Sequence, residues 1–241
     1  MRSFFSFSAL GIVAMLGCVT TDWGVTQPSG GASNQASAAK TPEQLVVQAV
    51  KKMGGKVTPD LKDPEHPLCI VDLHDTKVTD DRLSVLKPLH RLRELNLYRT
   101  RITDMGLDQL REFPELRSLN LSATHITDAG LSKLQGINSL KTLYVSDTAI
   151  SNAAIPYLAS VPALEELALF RTHVTDDGLS QLVAIKHLHK LILGGRGLSD
   201  RGLANLRKLR ELHELDLFES SATAAGIQGL QTALPRLTIL H

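Results

Sequence analysis

Three groups of residues in this chain have side chains suited to chemistry: hydroxyl–carboxylate pairs, a set of histidines and two cysteines. Thr103-Asp104, Thr127-Asp128, Thr175-Asp176 and Ser199-Asp200 each set a hydroxyl beside a carboxylate, the partners that an activated nucleophile or a hard cation would use. These pairs recur at multiples of 24 residues. A reaction centre is needed once and not in every turn of a repeat, so a structural duty is expected instead. Each pair stands just before a run of helical leucines. The hydroxyl can accept from the free amides of a helix start, and Asp104, Asp128, Asp176 and Asp200 then meet the positive end of its dipole.

His189 and His213 are also 24 residues apart, with His187 close by. Like positions on adjacent strands stand about 5 Å apart, and two or three imidazoles can hold zinc. No cysteine or carboxylate set with ligand spacing accompanies them, and Glu211 and Glu214 read as surface positions. There is no Gly-x-Ser-x-Gly, no phosphate loop and no His-Glu-x-x-His. The chain is therefore expected to be no enzyme and to hold no metal or cofactor.

The cysteines, Cys18 and Cys69, are too few for a disulfide framework or a zinc cluster. Cys69 reads as a small packed residue. Cys18 closes a different pattern: Met1-Arg2-Ser3 carries one positive charge, Phe4 to Leu16 is apolar, and Met15-Leu16-Gly17-Cys18 follows. That is the layout of a secretory signal, too short to span a bilayer as a stable helix. The cysteine after a small residue resembles the lipobox of bacterial lipoproteins, although Leu16 and Met15 depart from the usual residues. The resemblance implies a signal peptide over 1–17 and acylation of Cys18; ordinary cleavage and an uncleaved anchor are the alternatives. Residues 18–40 are rich in Ser, Thr, Gly, Ala, Asn and Gln, with little to bury except Trp23, and read as a flexible tether.

The elements that must position these groups follow from the repeat. The 241 residues are 43% hydrophobic yet only 4% aromatic, so the core has to come from leucine, which prompts a search for internal periods. With 26 basic against 25 acidic residues there is no charge excess to hold a nucleic acid. Aligned on Thr-x-Ile-Thr-Asp-x-Gly-Leu, Thr76, Thr100, Thr124, Thr148 and Thr172 fall in register at 24-residue steps, continuing through Arg196 and Ser220 to give seven units. Leu107, Leu110 and Phe113 are spaced as a short helix; Leu116, Leu119 and Leu121 end in the alternation of a strand. Stacked turns bury the leucines between them, and each is stable only through its neighbours.

In these residues the chain resembles the leucine-rich-repeat family, closely its bacterial Thr-x-Ile-Thr-Asp-x-Gly-Leu variety, related to the cysteine-containing repeats of eukaryotic F-box proteins. The resemblance covers roughly residues 68–241. It implies an α/β leucine-rich-repeat solenoid, a curved parallel β-sheet backed by short helices, and a protein-binding role.

Ahead of the repeats, Thr41-Pro-Glu-Gln44 is a capping box, Leu45, Val46, Ala49, Val50 and Met53 make one apolar face, and Gly54-Gly55 stops the helix. This N-terminal cap, residues 41–67, is expected to place its helix over a first strand from Leu68 to Leu73. At the other end Leu237-Thr-Ile-Leu240 reads as a strand with little beyond it, an edge that invites a weak homodimer. Three turns break the pattern: Ser151-Asn152 with Pro156, Gly194-Gly195-Arg196, and an extra residue near Ala233-Leu234. The two glycines are expected either to leave a shallow dent that a partner's backbone can approach or to mark a mere bend.

Residues between and just after the strand leucines point away from the core, onto the concave face. Nothing structural demands apolar residues there, yet Tyr98, Tyr144, Phe170, Ile192 and Phe218 occupy these places. Tyr144, Phe170 and Ile192 are expected to form one patch, since they lie on consecutive strands. Its border would be Asn96, Asn120, Asp147, Glu166, Arg171, Lys190, Asp216 and Glu219. Tyr98, Tyr144, Phe170, Arg171, Ile192, Asp216 and Phe218 are the expected partner-binding residues. A second row, Arg93, Arg117 and Lys141, reads as a solvated face neutralised by Glu94, Glu112 and Glu115. The expected function is a protein-protein interaction module at the bacterial cell envelope, lipid-anchored through Cys18, with a protein or peptide ligand and no nucleic acid. A self-associating envelope component is one alternative. A secreted effector or ubiquitin-ligase-like adaptor is the other, against which residues 41–56 supply only one helix ahead of the repeats.

Overall fold

The computed structural model describes residues 40–58, 70–195 and 197–241. The expectations for the signal segment, Cys18, Trp23, Leu68, Cys69 and Arg196 lie outside them. The strands are β1 (Lys56–Thr58), ahead of the repeats, and then one to each turn: β2 (Ile70–Asp72), β3 (Glu94–Asn96), β4 (Ser118–Asn120), β5 (Thr142–Tyr144), β6 (Glu166–Ala168), β7 (Lys190–Gly194), β8 (Glu214–Phe218) and β9 (Thr238–Leu240). They form one sheet in sequence order, parallel from β2 to β9. Every parallel pair matches residues 24 apart, as in Leu95 with Leu119 and Leu119 with Leu143. The inward leucines Leu95, Leu119, Leu143, Leu167, Leu191 and Leu215 are buried, and the alternate side chains form the sheet's open face.

Beyond each strand the chain bends. Asp75, Arg99, Ala123, Asp147, Arg171 and Glu219 all take a left-handed conformation with φ between 52° and 56°. That conformation is unfavourable for a residue with a Cβ. Here it aims the amide at the next turn, as in Arg99 N–H to Ser122 O (3.0 Å) and Asp147 N–H to Phe170 O (2.8 Å). The following threonine fixes the bend: Thr100 and Thr172 donate their hydroxyls to the carbonyls of Leu97 and Leu169 at 2.7 and 2.8 Å. This is the duty of the threonine that opens the motif.

The return segments are short helices. Two are 3₁₀, Asp80–Leu86 and Asp104–Glu112. A third turn joins α2 (Asp128–Leu131) to 3₁₀ residues 132–134, and the fourth joins 3₁₀ residues 152–154 to α3 (Ile155–Ala159), with Pro156 in its first turn. Labelling the remaining α-helices in chain order, α1 is the N-terminal Pro42–Lys52, and α4 (Asp176–Leu182), α5 (Asp200–Leu206) and α6 (Ala224–Ala233) complete the set. The extra residue expected near Ala233-Leu234 is corrected: β9 pairs 24 residues after β8, so the turn has no net insertion, and the later place of Leu234 and Leu237 goes with the longer helix α6.

The capping box of α1 forms: Thr41 Oγ1 accepts from Gln44 N–H (3.2 Å) and Gln44 Oε1 from Thr41 N–H (3.0 Å). Val46 and Val50 are buried, while Leu45, expected on the same apolar face, is exposed. Gly54 takes φ +87° to end the helix. Gly55 is required for another reason, since a Cβ there would lie 2.6 Å from both Asp72 O and Leu73 Cδ2. The expected direct cover of the first repeat strand by the helix is corrected. The chain leaves Gly55 as β1, which pairs antiparallel with β2 through Lys56–Asp72, Val57–Val71 and Thr58–Ile70. The sheet edge is thus occupied by an added strand, with α1 packed beside it.

Candidate functional site: clasp carboxylates and the open sheet face

The motif carboxylates do more than face a helix dipole. Asp80 accepts from the backbone N–H of Thr103 at 2.9 Å and its hydroxyl at 2.6 Å, one turn further along. The same pair of bonds joins Asp104 to Thr127 (2.8 and 2.6 Å), Asp128 to Ser151 (2.7 and 2.5 Å), Asp176 to Ser199 (2.8 and 2.5 Å) and Asp200 to Thr223 (2.7 and 2.7 Å). Each carboxylate clasps the following turn. The clasped hydroxyl keeps a lone pair for its own helix, and Thr103, Thr127 and Ser199 accept from Met105, Ala129 and Arg201 N–H at 3.3 Å. Hydrogen bonds from Thr223 hold Asp200 below the usual carboxylate range.

The clasp also explains the motif glycine. A Cβ on Gly106, Gly130, Gly202 or Gly226 would stand 2.1–2.5 Å from an oxygen of Asp80, Asp104, Asp176 or Asp200. In the first turn no earlier clasp is present among the described residues, and Arg82 occupies the glycine's place. In the fourth turn Asn152 replaces the aspartate: its Oδ1 accepts from Thr175 N–H and its Nδ2 donates to Thr175 Oγ1, both at 2.9 Å. Thr175 consequently makes no side-chain cap for α4, which corrects the capping expected of it.

The open face carries three columns of side chains. One begins each strand: Glu94, Ser118, Thr142, Glu166, Lys190 and Glu214. The middle column runs Asn96, Asn120, Tyr144, Ala168, Ile192 and Asp216. The third, two residues on, holds Tyr98, Ser122, Ser146, Phe170, Gly194 and Phe218.

The expected single patch therefore resolves into two structures. Tyr144 and Ile192, each half-buried, share the middle column and flank the buried Ala168, forming an apolar stripe with Phe170 outside it. Phe170 is only 4% exposed. It fills the space beside Gly194, where a Cβ would meet its ring at 2.4 Å, and its ring stands edge-on to Phe218 with centroids 6.0 Å apart. Arg171 lies over the Phe170 ring at 4.9 Å and reaches across the glycine turn to Glu219, with Nη2 at 2.6 Å from Oε1 and Nε at 3.3 Å from Oε2. The dent expected at Gly194-Gly195 is corrected accordingly: the absent side chain is replaced by a neighbour's aromatic ring, and a bidentate ion pair bridges the turn. Tyr98 stands apart, two strands from Tyr144's strand, with Arg99 5.9 Å from its ring centroid.

Asp216 is the irregular member of the middle column. Asp72, Asn96 and Asn120 turn their side-chain oxygens onto the amides of His74, Tyr98 and Ser122 at 3.2, 3.1 and 3.0 Å. At Asp216 the strand continues to Phe218 in register with Gly194. The residue is 7% exposed, its Oδ1 is buried with no hydrogen-bond partner among the described residues, and burial pushes its pKa up against the pull of Lys190. Lys190 Nζ pairs with Glu214; burial alone would lower this lysine, but Glu214, Asp216 and Glu166 raise it. Tyr144 donates its hydroxyl to Glu166 Oε2 at 3.0 Å, and burial with Glu166 raises the phenol.

A family profile described as Leucine Rich repeat matches residues 115–134. Among solved structures, internalin C2 of Listeria monocytogenes aligns with a TM-score of 0.55 at 23% identity, over 81% of this chain and 92% of that one. The fold is a leucine-rich-repeat solenoid. A second internalin of the same organism shares 20% identity over 66% of this chain and 50% of its own, with a TM-score of 0.48. No curated protein matches the sequence significantly. With 224 solved chains matching the solenoid, the likeness identifies an architecture shared by many proteins, and the site has to be read from this chain's own side chains.

On the rim of the solenoid, the row of Arg93, Arg117 and Lys141 continues into Glu165, His189 and His213. Lys141 pairs with Glu165 at 2.6 Å and Arg93 approaches Glu115 at 3.5 Å. His189 and His213 stand edge-to-face with centroids 5.6 Å apart, and Glu211 lies 3.1 Å from His187 and 3.6 Å from His189. All three ion-pair partners are exposed, and among the described residues no group of three or more His, Cys, Asp or Glu is placed to hold a metal ion.

Proposed function

We propose that this solenoid is a non-catalytic interaction module whose concave sheet face binds a protein or peptide. The observation that carries the reading is the Tyr144–Ala168–Ile192 stripe. The core is complete without these side chains, because leucines on the other face of the same strands fill it. An apolar stripe bordered by charge on an open sheet is the composition of an interface centre. Tyr144, Ile192, Asp216 and Phe218 form the contact region, Tyr98 lies at its far margin, and Phe170 and Arg171 support it from beneath and beside.

The test is photocrosslinking in the native cell from a reactive residue at Ile192, with Met105, 67% exposed on the return segment of its turn, as the control. Discrete adducts to another protein from position 192 alone are expected. Equal adducts from both positions, or none from 192, overturn the reading, and adducts only between copies of this chain favour self-association.

We further propose that the module works at the cell envelope, tethered through acylated Cys18 with residues 18–40 as spacer. The apolar Phe4–Leu16 run ahead of that cysteine supports it. Among the described residues no helix is long and apolar enough to cross a membrane. Metabolic labelling with a fatty-acid analogue should mark the native chain and not Cys18→Ser; equal labelling overturns the proposal.

A further inference from the structure

The charge on the open face differs from that of the whole chain. Overall, 26 basic residues balance 25 acidic ones. In the first two columns of the face, Asp72, Glu94, Glu166, Glu214 and Asp216 stand against Lys190 and against Lys56, which lies opposite Asp72 on the edge strand β1. Lys190 is committed to Glu214. Glu166 receives the neutral hydroxyl of Tyr144. Asp216 keeps one oxygen buried and unpartnered, where every similar side chain from β2 to β4 satisfies itself on the backbone. A carboxylate charge held largely out of water, with Lys190 shared between it and Glu214, is costly, and a further cation brought to the face lowers that cost on binding.

We propose that the open face takes a basic segment of a partner protein, with a lysine or arginine set against Asp216 and Glu166 and an adjoining aliphatic side chain on Tyr144, Ala168 and Ile192. This deepens the interaction-module reading and rests on it. The pairing of a charged anchor with an apolar stripe one strand away gives such a segment both its register and its on-rate. The same field repels anionic lipid headgroups and nucleic acid phosphates.

The test uses the full-length chain as bait for a display library of random twelve-residue peptides, with recovered peptides measured by fluorescence anisotropy. Lysine and arginine should be enriched, and Asp216→Asn and Glu166→Gln should each weaken binding by about tenfold or more, with a loss on raising salt. Circular dichroism of both variants monitors folding, and Glu166→Gln alone carries the result if Asp216→Asn unfolds. Peptides that lose binding in Ile192→Asp but show no basic enrichment would overturn the basic partner and leave the face reading standing. Peptides indifferent to Ile192→Asp, or no binders, would overturn both.

Discussion

Two aspartates of the solenoid, Asp200 in a clasp and Asp216 on the open face, titrate in opposite directions. On the clasp side, Asp200 accepts two hydrogen bonds from Thr223, which hold its pKa below the ordinary range. On the open face, Asp216 is buried beside Lys190 and Glu214 with an oxygen left over, and its pKa is pushed up. A lowered carboxylate contributes stability in the folded state; a raised one is tolerated at a cost. The clasp closes the fold on itself, while the open face holds a carboxylate that the fold does not satisfy. Repetition marks the first and irregularity the second.

The comparison is most severely tested at the clasp glycines. Gly130→Val would drive a branched side chain into Asp104, since even a Cβ falls 2.2 Å from its Oδ1. A loss of about 3 kcal/mol in urea unfolding is expected. The loss should be smaller in an Asp104→Ala background, where the obstacle is gone. Ala154 holds the glycine's place in the fourth turn with the Asp128 clasp intact, so one methyl can be absorbed and the valine is the informative change. Next in size is Asp104→Ala itself, which leaves the amide and hydroxyl of Thr127 without their acceptor; about 2 kcal/mol is expected in the same assay.

Asp216→Asn should behave in the other direction. At pH 7 the variant is expected to be as stable as the native chain or more so, by up to about 1 kcal/mol. The sign follows from linkage. A raised folded pKa penalises the ionised native state, and protonation relieves that penalty as pH falls from the folded value towards the unfolded one. The difference between variant and native chain should therefore shrink over that interval. The smallest effect belongs to Asn152→Asp, which restores a hydroxyl acceptor and frees Thr175 Oγ1 to cap Asp177 N–H. A gain of about 0.5 kcal/mol in thermal or urea unfolding is expected.

Most of the architecture was legible in the residues because a 24-residue period fixes both strand register and return path. The clasp was not read, since its partners lie 23 residues apart in chain and meet only when turns stack. A signal for it existed all the same. Glycine follows aspartate by two places in the motif, and Arg82 replaces that glycine in the first turn, where Lys56 stands 24 residues ahead of Asp80. The open face was harder to read: strand alternation says which way Phe170 points but not how deep it lies, and its burial depends on the missing side chain of Gly194 one strand away. Asp216 could not be told from Asn96 and Asn120 by its place in the column, and the longer pairing of β8 with β7 that sets its turn apart shows only in the structure. Strand β1 has three residues, too few to show a period.

The most direct measurement of this division is a carboxyl-carbon NMR titration of the full-length chain, resolving Asp200 and Asp216. The two are expected to titrate on opposite sides of the ordinary aspartate value of about 3.9, Asp200 below it and Asp216 above. Finding both on the same side, or Asp216 below Asp200, would contradict the separation of a self-satisfied clasp from an unsatisfied binding face.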